Sequence, residues 1–349
     1  MSKKIKVGTK AIAEDQPCFI IAEAGSNHNQ DLDRAKELID VAAEAGVDAV
    51  KFQTFTADKI AAKTEDEVMK LGDEYDTADH LYELYQDLEL PREWQTELRG
   101  YAREKGLIFL STPFDYEAVD QLDELGMPAF KIASFECIDL PFLKYIAKKD
   151  KPIILSTGMA NLGEIEEALE AIYQTGNEQV VVLHCGINYP MPMEDVNLAA
   201  MDTIKQAFQV SVGYSDHTLG INVPIAAVAR GAKVIEKHYT LDRDLAGPDH
   251  KFALEPDELK EMVTGIREIE SAIGSPIKKH VESEEVHYQR GRRSIFAIKD
   301  IKEGTKITED MVKILRPGIG LKPKYYDLVI GREAQQDIEA NEPITWEKI

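Results

Sequence analysis

The sequence predicts an α/β fold: a closed (β/α)8 TIM barrel followed by a small C-terminal β-rich domain. Short apolar runs alternate with stretches of helical periodicity as far as about Gly274, which is typical of buried parallel strands covered by helices. A glycine closes five of the helical stretches, at the position where a left-handed C-cap is expected. Beyond residue 291 the pattern changes to short strands and turns.

Eight apolar runs are the predicted barrel strands. They are CFIIAE (18–23), AVKFQ (49–53), LIFLS (107–111), AFKIAS (129–134), PIILS (152–156), VVVLH (180–184), VSVGYS (210–215) and KVIEKHY (233–239). The first helical stretch places on one face Leu32, Ala35, Leu38, Ile39 and Ala42. The glycines expected to end helices are Gly46, Gly106, Gly126, Gly176 and Gly231. Eight successive strand–helix units favour a closed barrel over an open sheet.

One long insertion lies between the second and third strands, roughly at residues 54–89. It is rich in charge and tyrosine, as in GDEYDTADHLYELYQDLEL. A long loop at the catalytic face of a barrel is often a lid or a substrate wall. Its composition is equally compatible with a surface helix, and the sequence alone leaves both interpretations open.

The predicted domains are the barrel at residues 1–280, a linker at 281–291 and a β-rich domain at 292–349. The linker prediction rests on a polar stretch that looks poor in helix. The last domain contains a weak internal repeat, called the internal echo below. AIKDIKEGTKIT (297–308) and AQQDIEANEPIT (334–345) share Ala, Asp-Ile and a terminal Ile-Thr at equal spacing. A module of this size buries little core, so we expect it to lean on something else.

Composition excludes several classes of protein. There are 63 acidic and 41 basic residues among 349, giving a net charge of −22, which argues against a nucleic acid or anionic membrane partner. The N-terminal MSKKIKVGTK has no apolar segment of a signal peptide. The three cysteines are widely spaced and odd in number, which favours a reducing, cytoplasmic location.

Polar residues collect where the predicted strands end. These residues are Glu23, Lys51, Gln53, Ser111, Thr112, Lys131, Ser134, Glu136, Ser156, Thr157, His184, Cys185, Asn188, Tyr189, Ser215, Asp216, His217, Glu236, Lys237 and His238. In a barrel these ends meet at one mouth, where active sites are built. Each residue alone has an ordinary structural explanation, such as a helix N-cap for a Ser-Thr pair.

Taken together, the polar residues indicate a site for an anion and a metal ion. Lysines, hydroxyls and loop amides suit a phosphate group. His217 and His238 stand at equivalent places in two successive units, so their imidazoles are expected side by side. Two imidazoles suit a divalent cation that keeps positions open for substrate and water. The alternative is that both histidines only support other residues of the site.

Many ordered motifs resemble one known family. These are IIAEAGSNHNQDLDRAKELI, AVKFQTF, FLSTPFD, FKIASFE, ILSTGM, VGYSDHTLG, IEKHYTLDRDLAGPDHKFALEPDEL and LRPG. They follow the order seen in the bacterial sialic acid synthases, a family that includes the N-acetylneuraminate, legionaminic acid and pseudaminic acid synthases. The resemblance covers nearly the whole chain. It implies a barrel followed by a SAF (antifreeze-like) domain, in agreement with the two predicted regions.

The resemblance also implies a reaction. Phosphoenolpyruvate condenses with an N-acylated amino-hexose, typically N-acetylmannosamine, to give a nine-carbon 2-keto acid of the N-acetylneuraminate or legionaminate type and phosphate. Implied partners are these two substrates and a second copy of the chain in a domain-swapped homodimer. The implied cofactor is a divalent metal on His217 and His238, with manganese first and magnesium or cobalt as alternatives.

The family's residue roles transfer to matching positions of this chain. The implied catalytic residues are Glu23, Glu136 and Lys51. Residues implied to hold phosphoenolpyruvate are Lys51, Thr112, Lys131, Ser134, Ser156 and Ser215. Residues implied to contact the sugar are Gln53, Tyr189 and Asp249. Asn188 is a further implied substrate-binding residue, and Arg316 of LRPG is implied to enter from the other subunit.

One departure from the family pattern follows strand six. Family members commonly have Cys-Thr-Asn/Ser-x-Tyr-Pro there, whereas this chain has CGINYP, with Gly186 and Ile187 at two polar positions and Asn188 one residue later. A phosphate or acyl contact is therefore lost or supplied by a shifted loop. Alternatives to an N-acetylneuraminate or legionaminate synthase are a pseudaminic acid synthase, another phosphoenolpyruvate–aldose synthase of the octulosonate-phosphate or heptulosonate-phosphate type, and an inactive barrel that serves as a scaffold.

Overall fold

The protein, described by a computed structural model, has defined structure at residues 3–64, 66–71, 78 and 80–349. It divides into two compact units, residues 1–274 and 275–349. The strands of the first unit are β1 (Ile5–Val7), β2 (Lys10–Ile12), β3 (Phe19–Gly25), β4 (Ala49–Thr54), β5 (Ile108–Pro113), β6 (Phe130–Ile132), β7 (Ile153–Ser156), β8 (Val180–Cys185), β9 (Ser211–Asp216) and β10 (Val234–His238).

The eight predicted strands form one parallel sheet, which confirms the predicted barrel class. The order is β5-β4-β3-β10-β9-β8-β7-β6, so the first and last barrel strands are neighbours. Strands β5 and β6, at the two ends of this order, also lie side by side, although the described residues form no hydrogen-bonded ladder between them. The sheet therefore curls until its edges meet, as a near-closed barrel.

Helices cover the outside of the sheet and follow each strand in turn. They are α1 (Leu32–Ala45), α2 (Ala57–Ile60), α3 (Leu81–Leu88), α4 (Gln95–Glu104), α5 (Tyr116–Glu124), α6 (Leu140–Ala147), α7 (Leu162–Tyr173), α8 (Ala200–Phe208), α9 (Asn222–Ala229) and α10 (Pro256–Ile273). Helix α1 begins at Asp31, whose side chain accepts hydrogen bonds from two backbone amides, and ends at Gly46 with φ of 80°. All five predicted glycines have positive φ.

The N-terminal hairpin β1–β2 was not predicted. Its strands pair antiparallel, with Ile5 opposite Ile12, and Ile5, Val7 and Ile12 are buried. Alternation over only three residues per strand is too short to be distinguished from chance in a sequence.

The predicted insertion between the second and third barrel strands contains α2, α3 and a 3-10 turn at Glu67–Met69. Tyr82 and Leu84 of α3 are buried, and the Tyr82 hydroxyl donates to Asp58 at 2.5 Å. Residues 65, 72–77 and 79 lie outside the described part of the chain, and with them much of the tyrosine-rich motif. The lid interpretation stays a prediction.

Besides short 3-10 turns, the described residues of the second unit form two α-helices and two β-strands, namely α11 (Glu285–Gly291), β11 (Ser294–Ala297), β12 (Val312–Leu315) and α12 (Tyr326–Val329). Strands β11 and β12 pair antiparallel, with Ser294 opposite Leu315. The unit has its own small apolar core. The stretch 281–291 is more helical than predicted, because Glu284 accepts a hydrogen bond from the Val281 amide and starts the first turn.

The two halves of the predicted internal echo bond to each other reciprocally. Ile301 and Ile338 exchange backbone hydrogen bonds of 2.8 and 2.9 Å. Asp300 accepts from the Ala340 amide at 2.9 Å, and the equivalent Asp337 accepts from the Glu303 amide at 3.0 Å. The repeated Asp-Ile therefore marks the same contact made twice, once from each half.

Candidate active site

A cleft of about 400 Å³ opens where the barrel strands end. It is lined by Glu23, Lys51, Gln53, Thr112, Phe114, Lys131, Ala133, Ser134, Phe135, Ser156, Cys185, Tyr189, Ser215, His217, Glu236 and His238. Eleven of these were predicted as site residues. Carboxyl ends of parallel strands gather polar side chains at one mouth while the apolar residues behind them form the core, which explains why this grouping could be predicted.

Lys51 is the centre of the first polar group. Its ammonium lies 2.8 Å from Glu23 Oε2 and donates to Thr112 Oγ1 at 2.9 Å. Gln53 donates to the other Glu23 oxygen at 2.8 Å. Burial alone lowers the pKa of Lys51, but Glu23 and Glu236 raise it above its usual value. Lys51 is therefore charged, as an anion-binding lysine must be.

Glu236 joins the two lysines; the sequence placed it among the polar residues at the strand ends but assigned it no role. Its Oε1 accepts from Ser215 at 3.0 Å and lies 3.4 Å from Lys131 Nζ, while its Oε2 lies 3.7 Å from Lys51 Nζ. Burial raises the pKa of this carboxyl, but Lys131 and Lys51 more than offset it and hold the pKa below its usual range. The signal in the sequence was its place two residues before His238, on the same face of the strand.

Lys131 is the less strongly paired of the two lysines. It is 3% exposed and donates to the Ile132 carbonyl at 3.2 Å. Burial lowers its pKa, which means that the ammonium gains much from an incoming anion. Ser156 stands nearby with a buried hydroxyl that has no hydrogen-bond partner among the described residues.

Ser134 and Glu136 lie on a short 3-10 helix, Ser134–Ile138, directly after β6. The Ser134 hydroxyl accepts from the Gly158 amide at 3.0 Å. Burial raises the pKa of Glu136 to about 7, and its Oε2 is buried without a partner in the described structure. A carboxyl with this pKa can exchange a proton near neutral pH.

His217 and His238 lie side by side, with ring centroids 5.3 Å apart. His217 Nδ1 lies 2.6 Å from the Gly186 carbonyl, which can only accept, so Nδ1 carries the proton and Nε2 keeps its lone pair. His238 Nδ1 is 3.5 Å from Asp249 Oδ2. Burial lowers the pKa of both imidazoles, so both are neutral at physiological pH.

The two imidazoles fit a divalent cation. Histidine ligation requires neutral imidazoles with a free ring nitrogen. Both imidazoles are neutral, adjacent and buried, and Nε2 of His217 is available as a ligand. The described residues contain no group of three or more His, Cys, Asp or Glu arranged to hold a metal ion. The protein would therefore supply two imidazoles and leave the other positions to water and substrate.

Three predicted residues of the first unit do not line the cleft. Asp249 lies beside His238, and burial raises its pKa to about 6. Glu136 is half-buried next to the lining residue Phe135, and Asn188 is exposed on the loop after β8. Arg316 belongs to the second unit, where it follows β12 and is exposed. The roles assigned to these residues stay predictions.

The departure after strand six has a packing explanation. Gly186 supplies the carbonyl that holds His217, and a Cβ on Gly186 would overlap Met191. Ile187 packs against Gly158, where a Cβ would lie 2.4 Å from the isoleucine and 2.8 Å from Ser134 Oγ. The CGINYP loop is thus fitted to the two strands beside it.

Within the described residues, no helix is long and apolar enough to cross a membrane.

Known proteins resemble this chain over nearly its whole length. The family model of the NeuB family matches residues 38–278, and that of the SAF domain matches residues 292–349. The N,N'-diacetyllegionaminic acid synthase of Campylobacter jejuni is 48% identical, covering 93% of this chain and 98% of that protein. The pseudaminic acid synthase of the same species is 40% identical, covering 93% and 94%.

A solved structure shows the same likeness. The N-acetylneuraminic acid synthetase of Leptospira borgpetersenii, crystallised with citrate, matches with a TM-score of 0.74 and 35% identity, covering 83% of this chain and 97% of that one. The barrel, its lysine-rich mouth and these relatives define the class: this is a phosphoenolpyruvate-dependent condensing enzyme of the nonulosonic acid synthase type. Within that class the chain belongs to the NeuB family, with a SAF domain after the barrel.

Proposed function

We propose that this enzyme condenses phosphoenolpyruvate with an N-acylated amino-hexose to give a nine-carbon 2-keto acid and phosphate. A diacetylated sugar is placed first, because the 48% identical relative is named for N,N'-diacetyllegionaminic acid. N-acetylmannosamine is the second candidate, supported by the likeness to the N-acetylneuraminic acid synthetase structure. The SAF match favours this family over synthases of octulosonate or heptulosonate phosphates.

One observation supports the proposal above all. Two nearly buried lysines, Lys51 and Lys131, stand in one cleft with two neutral imidazoles. Phosphoenolpyruvate carries a phosphate and a carboxylate, and both need charge-assisted donors when water is excluded. The hydroxyls of Thr112, Ser156 and Ser215 would complete the anion site, with Ser134 oriented by the Gly158 amide.

The reaction makes one C–C bond and, at carbon 2, replaces the C–O bond to phosphate by a C–O bond to the oxygen of water. Carbon 3 of phosphoenolpyruvate bonds to the aldehyde carbon of the open-chain sugar, whose oxygen takes a proton and becomes a hydroxyl. Water then adds to the electron-deficient carbon 2. The tetrahedral product loses phosphate and a proton, which leaves the ketone. A divalent cation on His217 and His238 would supply Lewis-acid polarisation of the aldehyde, with manganese first and magnesium or cobalt as alternatives.

The two carboxyl groups of Glu136 and Glu23 would act at different steps of the reaction. Glu136, with a pKa of about 7, is suited to take a proton from the attacking water and to stabilise positive charge at carbon 2. Glu23 is held by Lys51 and Gln53 and would assist the aldehyde end of the reaction, through a proton or a metal-bound water. Tyr189 and Gln53 line the cleft and would contact the sugar, with Asp249 behind His238.

The quaternary part of the proposal follows the family. We place Arg316 in the active site of a second copy, in a domain-swapped homodimer. A guanidinium suits the hydroxyls and carbonyls of a sugar, and its planar fork loses little freedom on ordering. Arg316 is exposed and follows a short strand of the SAF domain, which leaves it available for such a contact.

A phosphate-release assay tests the proposal. Purified enzyme with manganese and phosphoenolpyruvate is offered a panel of acylated hexosamines, including a diacetylated sugar, N-acetylmannosamine and unacylated mannosamine, with arabinose 5-phosphate and erythrose 4-phosphate as controls. We expect release with acylated sugars only, together with a nine-carbon keto acid detected by mass spectrometry. Release with the phosphorylated sugars alone would refute the proposal.

A further inference from the structure

A fully buried ion pair joins the last two barrel strands beside the two histidines. Lys237 Nζ lies 2.6 Å from Asp216 Oδ2, and both side chains are 0% exposed. The two residues are direct register partners in the ladder between β9 and β10. Each immediately precedes a histidine, since His217 follows Asp216 and His238 follows Lys237.

Every polar atom of this pair is engaged locally. Asp216 Oδ1 accepts from the Thr218 amide at 3.1 Å, and Oδ2 accepts from the Thr218 hydroxyl at 3.0 Å. Lys237 also donates to the Thr218 carbonyl. The pair therefore fixes not only two strands but also the backbone on both sides of His217.

A second cross-strand contact lies on the opposite face of the same ladder. Successive side chains of a strand point to opposite faces, and Ser215 and Glu236 line the cleft whereas Asp216 and Lys237 do not. Ser215 donates to Glu236 across the strands at 3.0 Å. Strands β9 and β10 are thus linked by side chains on both faces of the ladder, one residue before the imidazoles on one face and two residues before them on the other.

The ion pair is poorly explained by stability alone. Removing two charges from water costs much of what their attraction returns, and well-packed apolar pairs often replace buried ion pairs without loss. Such pairs are best attested where they specify one register. A one-residue slip between β9 and β10 would turn one imidazole away from the other.

We propose that Asp216 and Lys237 are positioning residues that set the separation of His217 and His238 and thereby the affinity for the divalent cation. The inference rests on the proposed function for the identity of that cation. The residues act through the histidines and touch no substrate. Residues that orient metal ligands from behind typically change metal affinity by about 10-fold to 100-fold when replaced.

The test compares two neutral double variants of the full-length enzyme. Asp216→Asn/Lys237→Met keeps an acceptor for Thr218 but removes the link between strands. Asp216→Asn/Lys237→Gln restores an uncharged amide link. Manganese titration by isothermal calorimetry is the main measurement, and crystal structures give the separation of the two rings without metal. Asn177→Ala is the matched control, because it removes a buried amide that donates to the Ala147 and Lys151 carbonyls, away from the site.

We expect the Met double variant to lose about 10-fold or more in manganese affinity, with the ring separation changed from 5.3 Å. The Gln double variant and the Asn177 control should stay close to wild type. Wild-type affinity in the Met variant, equal loss in both double variants, or a Met variant that does not fold would each overturn the inference. A wild-type enzyme that binds no manganese would refute the proposed metal instead, and the ring separation would then decide the inference alone.

Discussion

Lys51 and Glu23 form a nearly buried ion pair, with Nζ and Oε2 2.8 Å apart and side chains 3% and 1% exposed. The pair connects β4 to β3 at the mouth of the barrel. Burial raises the pKa of Glu23, and Lys51 opposes that rise. Lys51 thus favours the ionised form of the Glu23 carboxyl, which burial alone would favour in its protonated form.

Lys51→Met should therefore make stability depend on pH. The folded pKa of Glu23 would then rise further above its unfolded value, so the unfolding free energy falls as pH rises from the unfolded pKa through the folded pKa. We expect a loss of about 3–5 kcal/mol at pH 8 and a smaller loss near pH 5, measured by urea unfolding. The Glu23→Gln/Lys51→Met double variant should reduce the difference, with Glu236, the other carboxylate beside Lys51, accounting for what remains. An equal loss at both pH values in Lys51→Met would contradict the prediction.

Lys131→Met should weaken the binding of phosphoenolpyruvate far more than the binding of the sugar. Deleting one partner of a desolvated charge contact typically costs about 2–5 kcal/mol, which corresponds to roughly 30-fold or more in KM. Steady-state kinetics with each substrate varied in turn measures the two effects. Lys151→Met is the control, because Lys151 pairs with Asp123 and does not line the cleft. Equal effects on both substrates would show that Lys131 has another role.

His217→Ala and His238→Ala should each abolish condensation and severely weaken manganese binding. Each imidazole is half of the proposed histidine ligation, and no third protein group is arranged to replace it in the described structure. Circular dichroism should show an intact barrel. The control is His184→Ala, since His184 bonds the Val196 carbonyl outside the cleft lining. Full activity of either variant at ordinary metal concentration would refute the assignment.

Glu136 should give the pH–rate profile an acid limb. Its pKa is raised to about 7 by burial, and the proposed base is the carboxylate, so kcat/KM should fall as pH drops below about 7. Glu136→Gln should be nearly inactive and lack this limb, whereas Glu166→Gln, on the exposed face of α7, should behave as wild type. An unchanged limb in the Glu136 variant would assign it to another group.

Two inactive variants should complement each other if sites are shared between subunits. A heterodimer of Arg316→Ala and Glu136→Gln chains would contain one intact site, built from the barrel of the first and the SAF domain of the second. Co-refolded mixtures should regain up to half the wild-type activity per heterodimer. If subunit exchange is proven by native mass spectrometry and the mixture stays inactive, the shared-site proposal is wrong.

Much of the barrel could be predicted because buried parallel strands are continuous apolar runs. All eight runs are strands, and the polar residues at their ends share one cleft because the fold places all eight ends together. The β1–β2 hairpin could not be predicted, because its apolar residues are buried against the core of the barrel and not marked by a local sequence pattern. The helix at 285–291 depends on a side-chain cap, which composition does not reveal.

The site was predicted less completely than the fold. Glu236 gains its importance from Lys51 and Lys131, which come from other strands, so its role is visible only once the strands are neighbours. The same holds for Gly158, which has no signal in the sequence but leaves room for Ile187 and bonds Ser134. The distances between side chains of different strands are set by the closing of the barrel. They cannot be read from the residue pattern along a single strand.

The reciprocal bonds of Asp300 and Asp337 have a consequence for how the SAF domain forms. Each aspartate finds its amide only in the opposite half of the repeat, and Ile301 and Ile338 depend on each other in the same way. Neither half can make these four hydrogen bonds by itself, so we expect neither half to be stable alone. We therefore expect the SAF domain to fold and unfold in one cooperative step. Removing either repeat should unfold the other as well.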